Sequence, residues 1–321
     1  MKISFCITYY NQQDFVEKSI NSILNIDIPC DFEILIGDDG STDDTIEKIK
    51  VFQQLYPNKI KYFIMQRNES TKSINRASLN RLNLATQATG DYILFLDGDD
   101  YYCSKSFINK ALNIFNKYKN LEVCMFNFKY LHTNNTTEDF SQKMKQGFIN
   151  CEKYIAKGLY SHSGACVFKN ILDKNKIDNL YKINNFDDNA ITIYMLQFGK
   201  LFYIDEPIYM YRQTEDSLWN NTNTTEQYLL NAFDYNLITS SAPKFKKYIA
   251  KRQYAAIKYI FKNRKILKIN LGEKHEKYLN MAEYRNDIFI KNILIWNELD
   301  IINKVKTHLQ WIFYKMKALY L

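Results

Sequence analysis

The stretch Tyr92-Ile93-Leu94-Phe95-Leu96-Asp97-Gly98-Asp99-Asp100 decides the fold of this 321-residue chain, because a short apolar run ends in three carboxylates. Apolar runs of four to eight residues are typical of a strand that is buried on both faces. Carboxylates this close together repel one another unless a cation or a proton offsets their charge. The stretch therefore predicts a buried strand with a cation-binding turn at its carboxyl end.

Apolar runs of the same kind occur earlier in the chain, at Ile3–Thr8, Phe32–Gly37 and Ile60–Met65. Helical patterns alternate with them, including one from about Ser73 to Ala88. Such alternation is typical of βαβ units. We expect an α/β fold with a mostly parallel, Rossmann-like sheet flanked by helices.

Polar clusters follow three of these strands, at residues 8–11, 38–41 and 97–100. Open α/β sheets bind ligands beyond the carboxyl ends of their strands, so we expect the clusters to converge in one crevice. Ser41 and Asp44 also resemble a capping box for the next helix. Taken singly, each cluster has a purely structural interpretation as a turn.

The ordered set of motifs resembles glycosyltransferase family 2 of the inverting, bacterial surface-glycan type, whose members have the GT-A fold. The resemblance rests on Ser4–Asn11, Glu33–Asp43, Ala88–Tyr92 and the Asp97-Gly98-Asp99-Asp100 form of the DxD motif. It covers residues 2–100 well, 101–219 more loosely and 220–321 hardly at all. We therefore expect a GT-A catalytic domain at 1–219, with a nucleotide-sugar-binding half at 1–100, an acceptor-binding half at 101–219, and a helical extension at 220–321.

The resemblance implies roles for two sets of residues on the donor side. The nucleotide contacts are Thr8, Tyr10, Asn11, Asp39, Arg76 and Asp97, with Arg81 as a competitor for the position of Arg76. The metal ligands are Asp99 and Asp97, with Asp100 beside them. The cofactor is expected to be Mn²⁺ or Mg²⁺, because hard divalent ions take oxygen ligands and are often shared between carboxylates and substrate phosphates.

A second acidic motif, Asn184–Ala190, precedes a helical run and resembles the family's Glu-Asp motif. Asp187 falls at the Glu position and Asp188 at the general base, while helix capping is the structural alternative. His162 and Arg212 fall in segments that contact acceptor or diphosphate in the family. Structural roles for both remain open, including packing of Arg212 over the tyrosines of Pro207–Trp219.

These motifs together imply a metal-dependent transferase that moves a sugar from a nucleoside diphosphate sugar, with UDP favoured, to a hydroxyl of a glycan or lipid-linked acceptor. An inactive carbohydrate-binding or scaffold protein on the same fold is one alternative, although it could dispense with Asp99 and Asp188. A nucleotidyltransferase is another, but no Gly-rich, basic phosphate loop lies near the N-terminus.

The net charge of +8 is concentrated at the C-terminal end, where residues 222–321 carry 15 Lys and 3 Arg against 8 acids. The stretch from Lys244 to Tyr254 and the segment Trp311–Tyr320 mix basic and aromatic residues, as interfacial helices do. A solvated helix face is the usual explanation of such a pattern, and contact with an anionic membrane surface is the alternative, which would suit a lipid-linked acceptor. The acidic balance of the remainder, and the lack of a nucleic-acid-binding motif, argue against nucleic acid as a partner.

Six isolated cysteines without metal-ligand spacing favour a reducing compartment. The apolar run at Ile3–Thr8 is too short for a signal peptide, so we expect none, and the sequence has no 18-residue apolar run. We expect a cytoplasmic protein, peripheral at the inner face of the cytoplasmic membrane.

Overall fold

The computed structural model describes residues 1–66, 73–140, 144–170, 186–214 and 222–320. The chain divides into two compact units. The first comprises residues 1–154 and 159–215, and the second residues 155–158 and 216–321.

The first unit is built on a ten-stranded sheet with the strand order β3-β2-β1-β4-β9-β6-β10-β5. Two short strands lie off this path, with β7 on β6 and β8 on β10. The strands are β1 (Lys2–Tyr9), β2 (Asp31–Asp38), β3 (Ile60–Ile64), β4 (Tyr92–Asp97), β5 (Tyr101–Tyr102), β6 (Leu121–Leu131), β7 (Thr137–Asp139), β8 (Gly147–Ile149), β9 (Cys166–Lys169) and β10 (Lys200–Arg212).

The long ladders of this sheet are parallel. They join β1 to β2, β1 to β4, β2 to β3 and β6 to β10, whereas the shorter ladders made by β5, β7, β8 and β9 are antiparallel. The predicted α/β fold with a mostly parallel sheet is confirmed. The four strands expected in residues 1–100 are present, and each of their ends lies within one residue of its predicted position.

Helices flank the sheet and bury their apolar sides against it. In the first helix of the chain, the side chains of Val16, Ile20 and Ile23 recur at helical spacing and are fully buried. Burial of this apolar surface drives the packing of helix on sheet. The α-helices of the first unit are α1 (Val16–Leu24), α2 (Thr45–Leu55), α3 (Ser73–Gln87), α4 (Phe107–Lys117) and α6 (Asp188–Met195), and α5 (Cys151–Lys157) contains residues of both units.

Close contact between α3 and β2 depends on Gly37. A Cβ atom there would lie 2.0 Å from Oδ1 of Asn80, so a larger residue would push the helix away. Because Gly37 has no Cβ atom, Asn80 can approach, and its Nδ2 atom donates a 2.9 Å hydrogen bond to the carbonyl oxygen of Gly37. This contact fixes the helix that carries Arg76 and Arg81 beside the strand ends.

The second unit is helical, which confirms the predicted C-terminal helical extension. Its α-helices are α7 (Thr224–Ser241), α8 (Lys246–Lys262), α9 (Leu267–Leu271), α10 (His275–Tyr284), α11 (Ile288–Leu294) and α12 (Ile301–Tyr320). They enclose their own apolar core, in which Phe233, Ile260 and Ile293 are fully or almost fully buried. Among the described residues, no helix combines the length and the apolar character that a membrane span requires.

Candidate functional site

The carboxyl ends of β1, β2 and β4 lie side by side and form the floor of the candidate site. Thr8 pairs with Asp97 in the parallel ladder, and the backbone N–H of Gly98 donates to the carbonyl oxygen of Thr8 at 2.9 Å. The N–H of Asp39 likewise donates to the carbonyl of Tyr9 at 3.0 Å. The three polar clusters predicted from the sequence therefore do converge.

Asp39 and Arg76 form one ion pair of this crevice, with Nε of the arginine 2.9 Å from Oδ2 of the aspartate. Both side chains are largely shielded from water, at 12% and 13% exposure. Tyr10 is exposed, and Oδ1 of Asn11 accepts a 2.8 Å hydrogen bond from the N–H of Thr42. Asn11 thus holds the loop after β2, and the Tyr10 side chain is partly exposed beside it.

Ser41 does not cap the helix α2, contrary to the prediction. Its hydroxyl and N–H both donate to the carboxylate of Asp38, at 2.6 and 2.7 Å. Asp38 is almost fully buried, and a buried carboxylate requires donors more urgently than a solvated helix end does. The helix begins at Thr45 after Asp44, whose side chain makes no capping hydrogen bond.

Asp100 connects the acidic turn to the strand β10. Its carboxylate is buried and accepts hydrogen bonds from the Tyr209 hydroxyl and, at 2.7 Å, from the N–H of Arg212. Arg212 also donates from Nε to the carbonyl oxygen of Asp99 at 2.8 Å, and its guanidinium lies over the ring of Phe15. Arg212 therefore packs on aromatic rings, as its structural alternative expected, but on Phe15 and Tyr101 and not on tyrosines of its own segment, and it also fixes the turn.

The turn itself needs glycine at position 98. A Cβ atom there would lie 2.1 Å from Cδ1 of Tyr9, a distance that no side chain tolerates. The backbone can therefore pass close to the end of β1 and place Asp97 and Asp99 at the crevice. Burial, together with the charge of Asp97, raises the pKa of Asp99 to about 6. Burial and the charge of Asp99 raise the pKa of Asp100 well above its ordinary value.

His162 lies between the two groups of carboxylates. Its Nε2 atom is 3.6 Å from an oxygen of Asp97 and 3.7 Å from an oxygen of Asp188. Its Nδ1 atom accepts a hydrogen bond from the N–H of Gly164 at 3.2 Å, so the neutral ring carries its proton on Nε2. The Nε2–H group therefore faces both carboxylates, at distances longer than a hydrogen bond, and the ring is held against the rings of Tyr209 and Tyr211.

Asp188 and Asp187 have different surroundings at the start of α6. Asp187 is the N-cap, and its Oδ1 atom accepts from the N–H of Ala190 at 2.8 Å. Asp188 instead accepts from the Tyr160 hydroxyl at 2.8 Å and from the N–H of Ser163 at 3.0 Å. The capping alternative therefore applies to Asp187, and Asp188 is the carboxylate that faces the site.

The pKa of Asp188 is lowered to about 2, although burial alone would raise it. The nearby His162 imidazole and the charge of Arg81 outweigh desolvation, and the hydrogen bond from the Ser163 N–H adds to them. A carboxylate with this pKa is ionised at neutral pH and can accept a proton.

Arg81 and Arg76 occupy separate places, although the sequence presented them as competitors. Arg81 pairs with Asp97 at 2.5 Å, and its charge also acts on Asp188. Arg76 pairs with Asp39 on the nucleotide side. The two arginines lie on one helix, five residues apart, and reach different carboxylates.

Tyr160 and Tyr209 are parts of the site that we did not assign from the sequence. Tyr209 lies three residues before Arg212, within the segment Pro207–Trp219, whereas Tyr160 stands two residues before His162 and outside the predicted motifs. Two flanking parts of the predicted motifs, Asn184-Asn185 and Glu215–Trp219, lie outside the described residues.

The donor set suits a divalent cation. Asp97, Asp100 and His162 each offer a ligand atom, and these atoms lie within 4.8 Å of one another; in the described part of the chain they are the group with this property. Since Nε2 of His162 carries a proton, the oxygen atoms are the better ligands, and oxygen is what Mg²⁺ and Mn²⁺ prefer. Asp99 adjoins this group through the turn.

The fold and the site define an α/β protein with an acidic turn, suited to a divalent cation, at the carboxyl ends of its parallel strands. The family model described as "Glycosyl transferase family 2" matches residues 4–175, more than half of the chain. The chain belongs to this family.

Several proteins of known name resemble the chain. It is 29% identical over 213 residues to the Campylobacter jejuni protein named GalNAc(5)-diNAcBac-PP-undecaprenol beta-1,3-glucosyltransferase, covering 66% of this chain and 64% of that protein. It is 36% identical over 118 residues to an uncharacterized glycosyltransferase of Mycoplasma pneumoniae, covering 36% of this chain and 38% of that protein. The chain thus spans less than two thirds of the length of these curated relatives.

Among solved structures, the chain resembles Staphylococcus aureus TarS, residues 1–349, in a complex with UDP. The TM-score is 0.61 at 16% identity, covering 99% of this chain and 90% of that one. This likeness confirms the predicted GT-A fold.

Proposed function

We propose that this protein is an inverting glycosyltransferase that moves a sugar from a nucleoside diphosphate sugar to a hydroxyl of a glycan or lipid-linked acceptor in bacterial surface polysaccharide synthesis. The arrangement that carries the proposal is the pair Asp97 and Asp188 on either side of His162. A group that would hold the donor and a group that would activate the acceptor thus face one space.

The nucleotide belongs beside Asp39, Tyr10 and Thr8 at the ends of β1 and β2. The exposed Tyr10 ring can stack on a base, and the carboxylate of Asp39 can accept a hydrogen bond from a base N–H. Arg76 holds that carboxylate in place. We favour UDP, because a carboxylate acceptor suits the N–H of uracil.

The diphosphate belongs at the acidic turn, where Asp99 and Asp97 would hold Mn²⁺ or Mg²⁺ with Asp100 behind them. Such an ion supplies charge stabilisation for the departing diphosphate when it is bound. Asp100 keeps the turn in place through β10, and Arg81 holds Asp97. His162 presents an N–H to the same space and can donate to a diphosphate oxygen.

Asp188 accepts the proton of the acceptor hydroxyl as that oxygen attacks the anomeric carbon. The C–O bond to the acceptor forms as the bond to the diphosphate breaks on the opposite face, which inverts the configuration. Tyr160 and the Ser163 N–H keep the carboxylate oriented. Asp187, as the N-cap, positions the helix end that carries the base.

We assign residues 1–219 as the catalytic domain, with the donor in residues 1–100 and the acceptor in 101–219, and residues 220–321 as an accessory helical region. The name of the Campylobacter jejuni relative specifies an undecaprenol-linked acceptor, which supports a lipid-linked acceptor here. We place the protein in the cytoplasm, attached to the inner face of the membrane.

The deciding experiment incubates the protein with a panel of sugar nucleotides, with and without Mn²⁺, and identifies the products. Release of nucleoside diphosphate that depends on the ion supports transferase chemistry. Pyrophosphate as the product would indicate a nucleotidyltransferase. Binding of sugar nucleotides and candidate glycans without any turnover would indicate a scaffold protein.

A further inference from the structure

We propose that the outer face of the helix α12, Ile301–Tyr320, docks on an anionic lipid surface. Its apolar side chains would enter the headgroup region, and lysines on both margins would contact lipid phosphates. This assignment rests on the proposed membrane attachment but does not depend on sugar transfer. It extends the segment Trp311–Tyr320, expected from the sequence, back to Ile301 and excludes Trp311 itself from the contact face.

The inner face of α12 is occupied by packing within its own unit. Thr307 and Ala318 are buried, and the indole of Trp311 stacks on the ring of Phe261 with centroids 4.9 Å apart. Tyr314 packs against Phe289 at 5.0 Å. Trp311 therefore anchors the helix to its own unit and is not free to insert into lipid.

The outer face of the same helix is strongly apolar and exposed to solvent. Leu309 and Phe313, one turn apart, are 60% and 65% exposed. Monomeric proteins rarely expose contiguous apolar surface of this kind without using it. The exposed apolar residues are Ile301, Ile302, Val305, Leu309, Ile312, Phe313, Met316 and Leu319.

The width of this face favours a surface over a single partner helix. At 100° per residue, the eight positions fill an arc of about 120° around the helix. A two-stranded coiled coil uses a narrower seam made of two positions in seven. An arc this wide is typical of helices that lie in the plane of a membrane interface.

The charges on α12 complement anionic lipid. Residues 301–321 contain four lysines and no Asp or Glu. Lys306 and Lys315 are exposed and fall on opposite margins of the apolar arc, where their stems can extend toward headgroups. A second copy of the helix would instead bring lysines against lysines.

A further lysine increases the positive charge at this helix. Lys246, at the start of α8, lies near Lys317, and burial together with the charge of Lys246 lowers the pKa of Lys317. Two cations held close together repel each other and raise the free energy of the folded protein unless an anion offsets their charge. Lipid phosphate groups are such anions.

The test uses the full chain and two kinds of vesicle, phosphatidylcholine alone and phosphatidylcholine mixed with phosphatidylglycerol. We expect cosedimentation with the anionic vesicles, weakened by salt, since the screening length falls from about 10 Å at 0.1 M to about 3 Å at 1 M. In the double variant Leu309→Gln with Phe313→Gln, the partition coefficient should fall by about tenfold or more, because two large side chains no longer enter the interface. Glutamine preserves helix propensity, so the helix should remain.

The matched control is the double variant Ile269→Gln with Ile288→Gln, which removes two exposed apolar side chains from other helices of the same unit. It should bind vesicles like the wild type. The double variant Lys306→Gln with Lys315→Gln should lose most of the preference for anionic over neutral vesicles.

Three results would overturn the assignment. One is the absence of vesicle binding at low salt. Another is a loss of vesicle binding in the Ile269 and Ile288 control variant that equals the loss in the Leu309 and Phe313 variant. The third is a wild-type dimer that the Leu309 and Phe313 changes convert to monomer without affecting vesicle binding, since the face would then join two copies. Donor hydrolysis measured without vesicles reports on the proposed transferase separately, so either idea can fail alone.

Discussion

Tyr160 donates a 2.8 Å hydrogen bond from its hydroxyl to the Oδ2 atom of Asp188. The donor comes from the segment before β9 and the acceptor from the first turn of α6, 28 residues further along the chain. With the Ser163 N–H on the other oxygen, both oxygen atoms of the proposed base accept a hydrogen bond from the protein. The carboxylate is therefore oriented before any acceptor arrives.

Tyr160→Phe should lower the free energy of unfolding by about 2 kcal/mol, since it removes a hydrogen bond to a buried charge. Turnover should fall less than tenfold, because Ser163 and His162 still hold Asp188. Denaturant unfolding and steady-state kinetics measure the two effects. Unchanged stability would show that the hydrogen bond contributes nothing in solution.

Asp188→Asn should keep sugar-nucleotide binding and lower turnover by about 10²-fold or more, the usual size of a general-base contribution. Release of nucleoside diphosphate measures the rate, and calorimetry measures binding. The matched control is Asp187→Asn, in which asparagine still caps the helix. A larger rate loss in the control than in Asp188→Asn would move the base to Asp187.

Asp99→Asn should abolish turnover and metal-dependent UDP binding while the fold remains intact, because the change removes charge without removing volume. Calorimetry with UDP and Mn²⁺ is the measurement. Asp31→Asn is the control, an exposed acid at the amino end of β2 and so at the opposite edge of the sheet. Metal-dependent affinity equal to that of the wild type would remove Asp99 from the ligand set.

Glu33→Gln should destabilise the protein at pH 7 by about 2 kcal/mol, since Glu33 is buried and accepts hydrogen bonds from Ser4, from Thr89 and from Lys2. Burial would raise the pKa of Glu33, but these donors lower it below its ordinary value. The ionised form therefore stabilises the fold above the unfolded pKa of about 4.3, and that contribution is lost as the pH falls through the folded pKa.

Urea unfolding at several pH values tests this prediction. The difference between wild type and Glu33→Gln should shrink below about pH 4. Glu47→Gln, in an exposed ion pair with Lys50, should change stability little at any pH. If the difference in stability between the wild type and Glu33→Gln does not depend on pH, the effect comes from packing and not from charge.

The fold of the first hundred residues could be predicted from the sequence because local hydrophobic periodicity reports burial. Ile93 to Leu96 are all fully buried, as their uninterrupted apolar run indicated. Periodicity does not report which strands pair. The insertion of β9 between β4 and β6, antiparallel to both, depends on residues far apart in the chain and was not predicted.

The site was predictable to the extent that its chemistry is concentrated in short motifs. Asp97, Asp99 and Asp39 stand out because carboxylates after a buried strand need an explanation. The role of Arg81 could not be separated from that of Arg76, since both lie on one helix and only the position of that helix decides which carboxylate each reaches. Tyr160 carries no motif at all.

The contacts of Asp100 restrict how proteins of this architecture can be recombined. Asp100 belongs to residues 1–100, the proposed donor half, but the groups that donate hydrogen bonds to it, the hydroxyl of Tyr209 and the N–H of Arg212, belong to β10 in the proposed acceptor half. A chimera joined just after residue 100, made to exchange acceptor specificity, would inherit a buried carboxylate whose partners come from a different parent. Chimeras that carry Asp100, Tyr209 and Arg212 together should fold, whereas those that separate them would leave the acidic turn without its support.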